Sequence, residues 1–120
     1  MRECKGCGLS AAALSFGSFK NADLSDADLS GAKLKGADFY SASLKGARLA
    51  KADLTEVNFN GTDLSGADLK GANLYRVNLL GARLTDADLS EVTNLGKITI
   101  GEAVLCCTLL PSGIENRDCK

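Results

Sequence analysis

The 120-residue sequence predicts an all-β solenoid, a four-sided β-helix of about four coils with a short cap at each end. Three observations carry that prediction. A five-residue apolar period runs without a slip, a superperiod of four such units overlies it, and the register fails near the C-terminus.

Leu or Phe recurs at every fifth residue from Leu9 to Leu89. Two residues before each stands a compact side chain, as at Ala22, Ala27, Ala32, Val57, Thr62, Ala67 and Val77. The residue between them is polar and often Asp or Asn, as at Asp23, Asp28, Asp53, Asn58, Asp63 and Asn73. A period of five fits neither a helix nor a long strand. It fits a short extended segment followed by a turn. The two apolar positions, two apart, then share one face, and the residue between points away.

The last two positions of each unit are corners. Ser30-Gly31, Lys35-Gly36, Lys45-Gly46, Ser65-Gly66 and Lys70-Gly71 place glycine where the chain must take unusual backbone angles. A chain that turns the same way after each segment winds into a coil. Successive coils then bond backbone to backbone about 4.8 Å apart.

The number of sides follows from the aromatics. Phe19, Phe39 and Phe59 fall on every fourth unit, and Leu79 continues the column. Val57 and Val77 repeat the same step beside it. Four units therefore close one coil, with an aromatic ladder of Phe19, Phe39 and Phe59 down one inner wall. The rod core is then roughly 20 Å long.

The repeats Ala22-Asp23-Leu24-Ser25-Asp26, Ala67-Asp68-Leu69-Lys70-Gly71 and Ala72-Asn73-Leu74-Tyr75-Arg76 resemble the A(D/N)LXX unit of the pentapeptide-repeat family. The resemblance covers roughly residues 7 to 92. It implies a right-handed quadrilateral β-helix, the fold that the period gives apart from its hand.

Three segments are expected: an N-terminal cap at 1–8, the repeat β-helix at 9–92, and a C-terminal cap at 93–120. An open coil exposes a dry interior and unpaired backbone, so both ends need covering. Lys97-Ile98-Thr99-Ile100 alternates like a strand. Glu102 to Leu110 is apolar enough to fold over the end as a short helix or strand, and Pro111-Ser112-Gly113 reads as a turn.

All five cysteines, Cys4, Cys7, Cys106, Cys107 and Cys119, lie in these caps. That placement fits disulfides that hold the ends shut. Cys7 also fits as a small core residue. A zinc site would need the two ends of the rod to meet. A C-x-x-C redox centre would need a βαβ setting that is absent here. Resemblance to exported family members implies the pairs Cys4 with Cys7 and Cys106 with Cys119. The family pattern has a polar residue where Cys107 stands, so Cys106 and Cys107 remain alternatives. A loop of this size contributes roughly 3 kcal/mol. Disulfides imply an oxidising compartment, and the resemblance points to a thylakoid lumen or a periplasm. A cytoplasmic location is the alternative.

Composition narrows the function. The chain has 14 basic and 15 acidic side chains, a net charge of -1. That excludes a strongly basic nucleic-acid binder. No run of 18 apolar residues is present, and Met1-Arg2-Glu3-Cys4 leads into no apolar signal region. With no His, neither a Ser-His nor a Cys-His pair can form. The Asp residues project in rows spaced by the repeat: Asp28, Asp68 and Asp88 with Arg48 between, and Asp23 and Asp63 with Ser43 between and Arg83 beyond. They read as a solvated polar surface rather than a catalytic or metal site. No catalytic residue, metal or cofactor is expected.

Tyr40, Tyr75 and Arg76 at the corners are a candidate binding surface, since Tyr and Arg are common interface anchors. The expected function is a rigid protein-binding or structural module. Its protein partner is unknown, it binds no nucleic acid or membrane, and it is monomeric because charged walls resist stacking. The alternative is the topoisomerase-binding, DNA-mimicking role of some family members. That role wants a strongly negative rod, whereas residues 20–91 hold 11 acidic and 9 basic side chains, a net -2.

Overall fold

A computed structural model describes residues 3–94, 103–111 and 113–115. The chain winds as a square coil in which each wall is one five-residue unit. Parallel backbone bridges link each unit to the fourth one after it, on every wall. Wall 1 runs Glu3, Asp23, Ser43, Asp63, Arg83. Wall 2 runs Gly8, Asp28, Arg48, Asp68, Asp88. Wall 3 runs Ala13, Lys33, Asp53, Asn73, and wall 4 runs Ser18, Asp38, Asn58, Asn78. These bridges are single residues rather than continuous strands, because the corners follow one another so closely. The two longer strands among the described residues are β1 (Thr108–Leu110) and β2 (Gly113–Glu115).

Within each unit the backbone has a fixed set of partners. The central residue turns both its N–H and its C=O toward the preceding coil: the Asp28 amide donates to the Cys7 carbonyl at 2.7 Å, and its carbonyl accepts from Leu9 at 2.7 Å. The apolar residue closes the turn, as where the Ala42 amide donates to the Phe39 carbonyl at 2.9 Å. Every corner residue, one in five from Gly6 to Glu91, has φ between 55° and 74°. Positive φ at the third of four turn positions is the type II geometry. Glycine adopts it freely. Corners such as Lys51, Glu56 and Arg76 carry a side chain there at a cost of about 1–2 kcal/mol each. Neighbouring coils offset that cost by bonding the corner amides, as Glu56 does to the Tyr75 carbonyl at 2.8 Å.

The interior is a column of side chains per wall. From Phe19 to Leu89 the Leu, Phe, Ala and Val residues in register are buried. Phe39 stacks on Phe19 at 4.8 Å with planes 11° apart, and on Phe59 at 5.5 Å with planes tilted by 33°. Thr62 occupies a small inward position with no exposure, and its hydroxyl donates to the Phe39 carbonyl at 2.7 Å. That bond satisfies a polar atom in a dry core.

The ladder outlasts the five-residue spacing. Ala103-Val104-Leu105 continues wall 1, with the Leu84 amide donating to the Val104 carbonyl at 2.9 Å, and Leu109 lies beside Asp88 on wall 2. The steps from Arg83 to Val104 and from Asp88 to Leu109 are each one residue longer than those of the earlier coils, so the intervening stretch holds one extra residue. Thr108 fills the inward position of this last segment. Its buried hydroxyl donates to the Leu84 carbonyl at 2.6 Å, repeating the Thr62 bond. β2 then pairs antiparallel with β1, Leu110 opposite Gly113. The Lys97–Ile100 strand expectation, residues 1–2, Ser112 and Cys119 lie outside the described residues.

Candidate functional site

The Asp and Asn rows have a structural role. At most units the side-chain oxygen accepts the backbone N–H two residues on. Asp23 does so from Ser25 at 3.0 Å, Asp53 from Thr55 at 3.1 Å, and Asp68 from Lys70 at 2.9 Å. That amide sits in the turn with no ladder partner of its own, so the carboxylate caps it. Hydroxyls reinforce the cap where the next residue but one is Ser or Thr. The Ser25 Oγ–Asp23 contact is 2.7 Å and the Thr55 Oγ1–Asp53 contact is 2.6 Å.

These bonds favour the ionised acid. Hydrogen bonds from the Ser25 and Ser30 side chains, with their backbone amides, hold Asp23 and Asp28 below the ordinary carboxylate range. At Asp63 partial burial opposes ionisation, but the Ser65 bonds and the nearby Arg83 and Lys45 outweigh it, and the pKa is again lowered. A lowered folded pKa gives stability that is complete above the unfolded value. It is lost as pH falls through the folded one. The melting temperature is therefore expected to be level near neutral pH and to fall below about pH 4. Combined Asp23→Asn, Asp28→Asn and Asp63→Asn keeps the acceptors and should flatten that acid limb. Circular dichroism melts from neutral to strongly acidic pH check it, and an unchanged limb in the triple variant would count against the caps.

The carboxylates on wall 2 are interleaved with Arg48, and those on wall 1 with Ser43 and Arg83. Among the described residues no group of three His, Cys, Asp or Glu side chains is placed to hold a metal. A shallow cleft at the corner between walls 2 and 3 is lined by Ala50, Lys51, Lys70, Gly71 and Glu91. Two of its three charged side chains, Lys70 and Glu91, form an ion pair at 3.3 Å. Among the described residues no helix is long and apolar enough to cross a membrane.

The cysteines sit at the ends. A disulfide joins Cys4 and Cys7 across the first turn, where the Cys7 amide also donates to the Cys4 carbonyl at 3.0 Å. Cys106 is disulfide-bonded as well, and the partner expected for it, Cys119, lies outside the described residues. Cys107 is exposed at a corner, with its sulfur 3.6 Å from that of Cys106.

Wall 4 differs from the others at its edges. Tyr40 and Leu80 stand on the corner that follows it, 46% and 37% exposed. Tyr75 and Arg76 stand on the corner that precedes it, with the guanidinium carbon 5.4 Å from the Tyr75 ring centre. Phe16, on that same corner, is 72% exposed and lies over Gly36, where no side chain intervenes. The sequence placed Tyr40 and Tyr75 at corners without relating them; in space their two corners bracket one wall. Phe16 and Leu80 escaped notice because both fall at corner positions, outside the apolar register. Between the edges runs a flat polar strip, in which Asn58 donates to Asp38 at 3.2 Å and Asn78 to Asn58 at 3.4 Å.

Charge is also sorted by wall. Walls 1 and 2, with the corner between them, hold eight acidic side chains against four basic ones, a net -4. The rest of residues 3–94 holds four acidic against six basic, a net +2. A near-neutral sequence thus folds into a rod with one acidic side.

Comparison with known proteins agrees with this architecture. The chain is similar to HetL, a pentapeptide repeat protein involved in heterocyst differentiation regulation from the cyanobacterium Nostoc sp. strain PCC 7120. The two share 29% identity over 92% of this chain and 60% of HetL, with a TM-score of 0.79, so the chain spans about 60% of that protein's length. It is similar to a pentapeptide repeat protein from the Arabidopsis thaliana thylakoid lumen, at 29% identity over 91% of this chain and 68% of that one, with a TM-score of 0.59. It shares the fold of QnrB1, a plasmid-mediated fluoroquinolone resistance protein, at 16% identity over 88% of this chain and 73% of QnrB1, with a TM-score of 0.64. A sequence search of curated proteins found no match. The family model for pentapeptide repeats matches in eight copies, over residues 7–46, 22–61 and 52–91. With that match over most of its length, the chain belongs to the pentapeptide-repeat family, whose fold is a right-handed β-helix.

Proposed function

We propose that this chain is a non-catalytic, rigid protein-binding rod of about four coils, and that wall 4 is its contact face. The observation that carries this reading is the placement of Tyr40, Leu80, Phe16 and the Tyr75–Arg76 pair along the two edges of one wall. Aromatic and Arg side chains anchor protein interfaces. Here they flank a strip of amides already fixed by hydrogen bonds, so little order is lost on docking. The partner is a protein. The setting is a thylakoid lumen or periplasm, which the disulfides and the likeness to a lumenal protein both support.

The topoisomerase-binding alternative rests on the acidic side of walls 1 and 2. Duplex DNA presents one charge per about 1.7 Å, so a mimic of roughly 20 Å would show about twelve. A net -4 falls well short of that.

A photo-reactive benzoylphenylalanine placed in turn at Tyr40 on wall 4 and at Asp68 on wall 2 tests the reading in lumenal extract. A defined protein adduct from the Tyr40 site, lost on adding Arg76→Ala and absent from the Asp68 site, is expected. Equal labelling from both sites would contradict wall 4 as the contact face.

A further inference from the structure

Where glycine takes the positive-φ position of a corner in the repeat, the residue before it is Ser, Lys or Leu, except at Asn60-Gly61. No other Asn in the sequence is followed by Gly. In a flexible chain this pair is chemically weak. The glycine backbone nitrogen attacks the asparagine Cγ and gives up its proton, and ammonia leaves. A five-membered succinimide results, and water opens it at either carbonyl to aspartate or isoaspartate. Glycine permits the closure because it has no side chain to crowd the ring.

The folded rod blocks that route twice. Gly61 has a φ of 68°, the third position of a type II turn. Asn60 is then the second position, where a ψ of about +120° turns the following nitrogen away from the residue's own Cβ. Ring closure needs the opposite sign of ψ. The Gly61 amide is also held, donating to the Leu80 carbonyl on the next coil at 3.0 Å. The side chain itself is not held. Asn58, Asn73 and Asn78 each accept a turn amide, whereas among the described residues the Asn60 side chain makes no hydrogen bond. Protection comes from the backbone alone and ends when these coils open.

Isoaspartate would not fit back into the rod. Its main chain runs through Cβ and Cγ, so the unit gains one carbon at a corner pinned on both sides. Phe59 and Thr62 have no exposure, the Thr62 amide donates to the Phe59 carbonyl at 3.0 Å, and its hydroxyl donates to the Phe39 carbonyl at 2.7 Å. The Asn60 carbonyl, which accepts from the Ser41 amide at 3.0 Å, would become a free carboxylate beside the chain. We infer that Asn60-Gly61 is a deamidation site locked by the fold. The folded rod keeps it intact, and a chain that stays unfolded is converted there to a form that cannot wind the coil again. The lock is independent of what the rod binds.

Two samples without reductant, one native and one in guanidinium chloride, test this when held at the same mildly alkaline pH and temperature. Peptide mapping follows the conversion of Asn60. The native sample should convert about a hundredfold more slowly, because attack waits for local opening. After dilution from denaturant, the folded fraction isolated by size exclusion should contain Asn or Asp at this position and no isoaspartate. Its yield should fall as isoaspartate accumulates. Asn60→Gln, which would have to close a larger ring, should keep its yield through the same hold. Equal conversion in the two samples would overturn the lock. Isoaspartate in the refolded rod, or an equal loss of yield in Asn60→Gln, would overturn its consequence.

Discussion

Replacing Leu64 by Asp is expected to unfold the rod at room temperature. Leu64 is fully buried on wall 1, in the column between Leu44 and Leu84, and its amide bonds to the Arg83 carbonyl at 2.7 Å. Among the described residues no cation lines that interior, so an ionised carboxylate there would be surrounded by hydrocarbon. The cost is several kcal/mol even after relaxation, against a total stability of about 5–15 kcal/mol for an ordinary domain. The change one residue earlier is the control. Asp63 points outward and caps the Ser65 amide at 3.0 Å, so Asp63→Asn should melt close to wild type at neutral pH. Far-ultraviolet dichroism of the two variants checks the pair, and a Leu64→Asp protein with the native spectrum and melting point would refute the register.

Phe39→Ala should be the next most damaging change. Phe39 is fully buried and is the middle member of the aromatic column, in contact with Phe19 and Phe59. Truncation leaves a ring-sized void between coils that the backbone ladder prevents from collapsing. Large-to-small changes of this kind cost about 3–5 kcal/mol, which includes the stacking preference of roughly 0.5–1.5 kcal/mol per pair. Phe39→Leu should cost much less, because Leu79 fills the same column two coils further along. Chemical denaturation of the three proteins checks the order. Equal stabilities for Ala and Leu would mean that the column is not packed as described.

Much of this fold was legible because the repeat writes the same physical choice many times. Leu, Ala and Gly at fixed offsets fix what faces inward and where the chain turns. The spacing of Phe19, Phe39 and Phe59 fixes the number of sides. The features that escaped are those on which the period is silent. The lengthened step before Val104 falls where the apolar spacing breaks down, and only the ladder shows that the wall continues. The Thr62 and Thr108 hydroxyl bonds reach carbonyls on the preceding coil, so no local pattern announces them.

The candidate surface was legible only in part. Tyr40, Tyr75 and Arg76 stand out in the sequence as corner residues, but their common wall emerges only once corners are assigned to coils. Phe16 lies outside the apolar register, so the period says nothing of it. Its exposure follows from a corner position, where the side chain leaves the core and rests on the bare backbone of Gly36. The charge asymmetry was hidden because net charge sums over walls that face opposite directions.

The assignment of residues to walls, and with it the contact face and the charged side, depends on four units closing one coil. Paired cysteines test that closure directly. Ser43→Cys with Asp63→Cys places two thiols on wall 1 in adjacent coils, where the bridge brings the backbones within disulfide range. Ser43→Cys with Asn58→Cys separates them by one unit fewer and so places them on different walls. Peptide mapping after mild oxidation should find the first pair joined and the second open. A second pair that joins while the first stays open would mean three units per coil and would contradict the account.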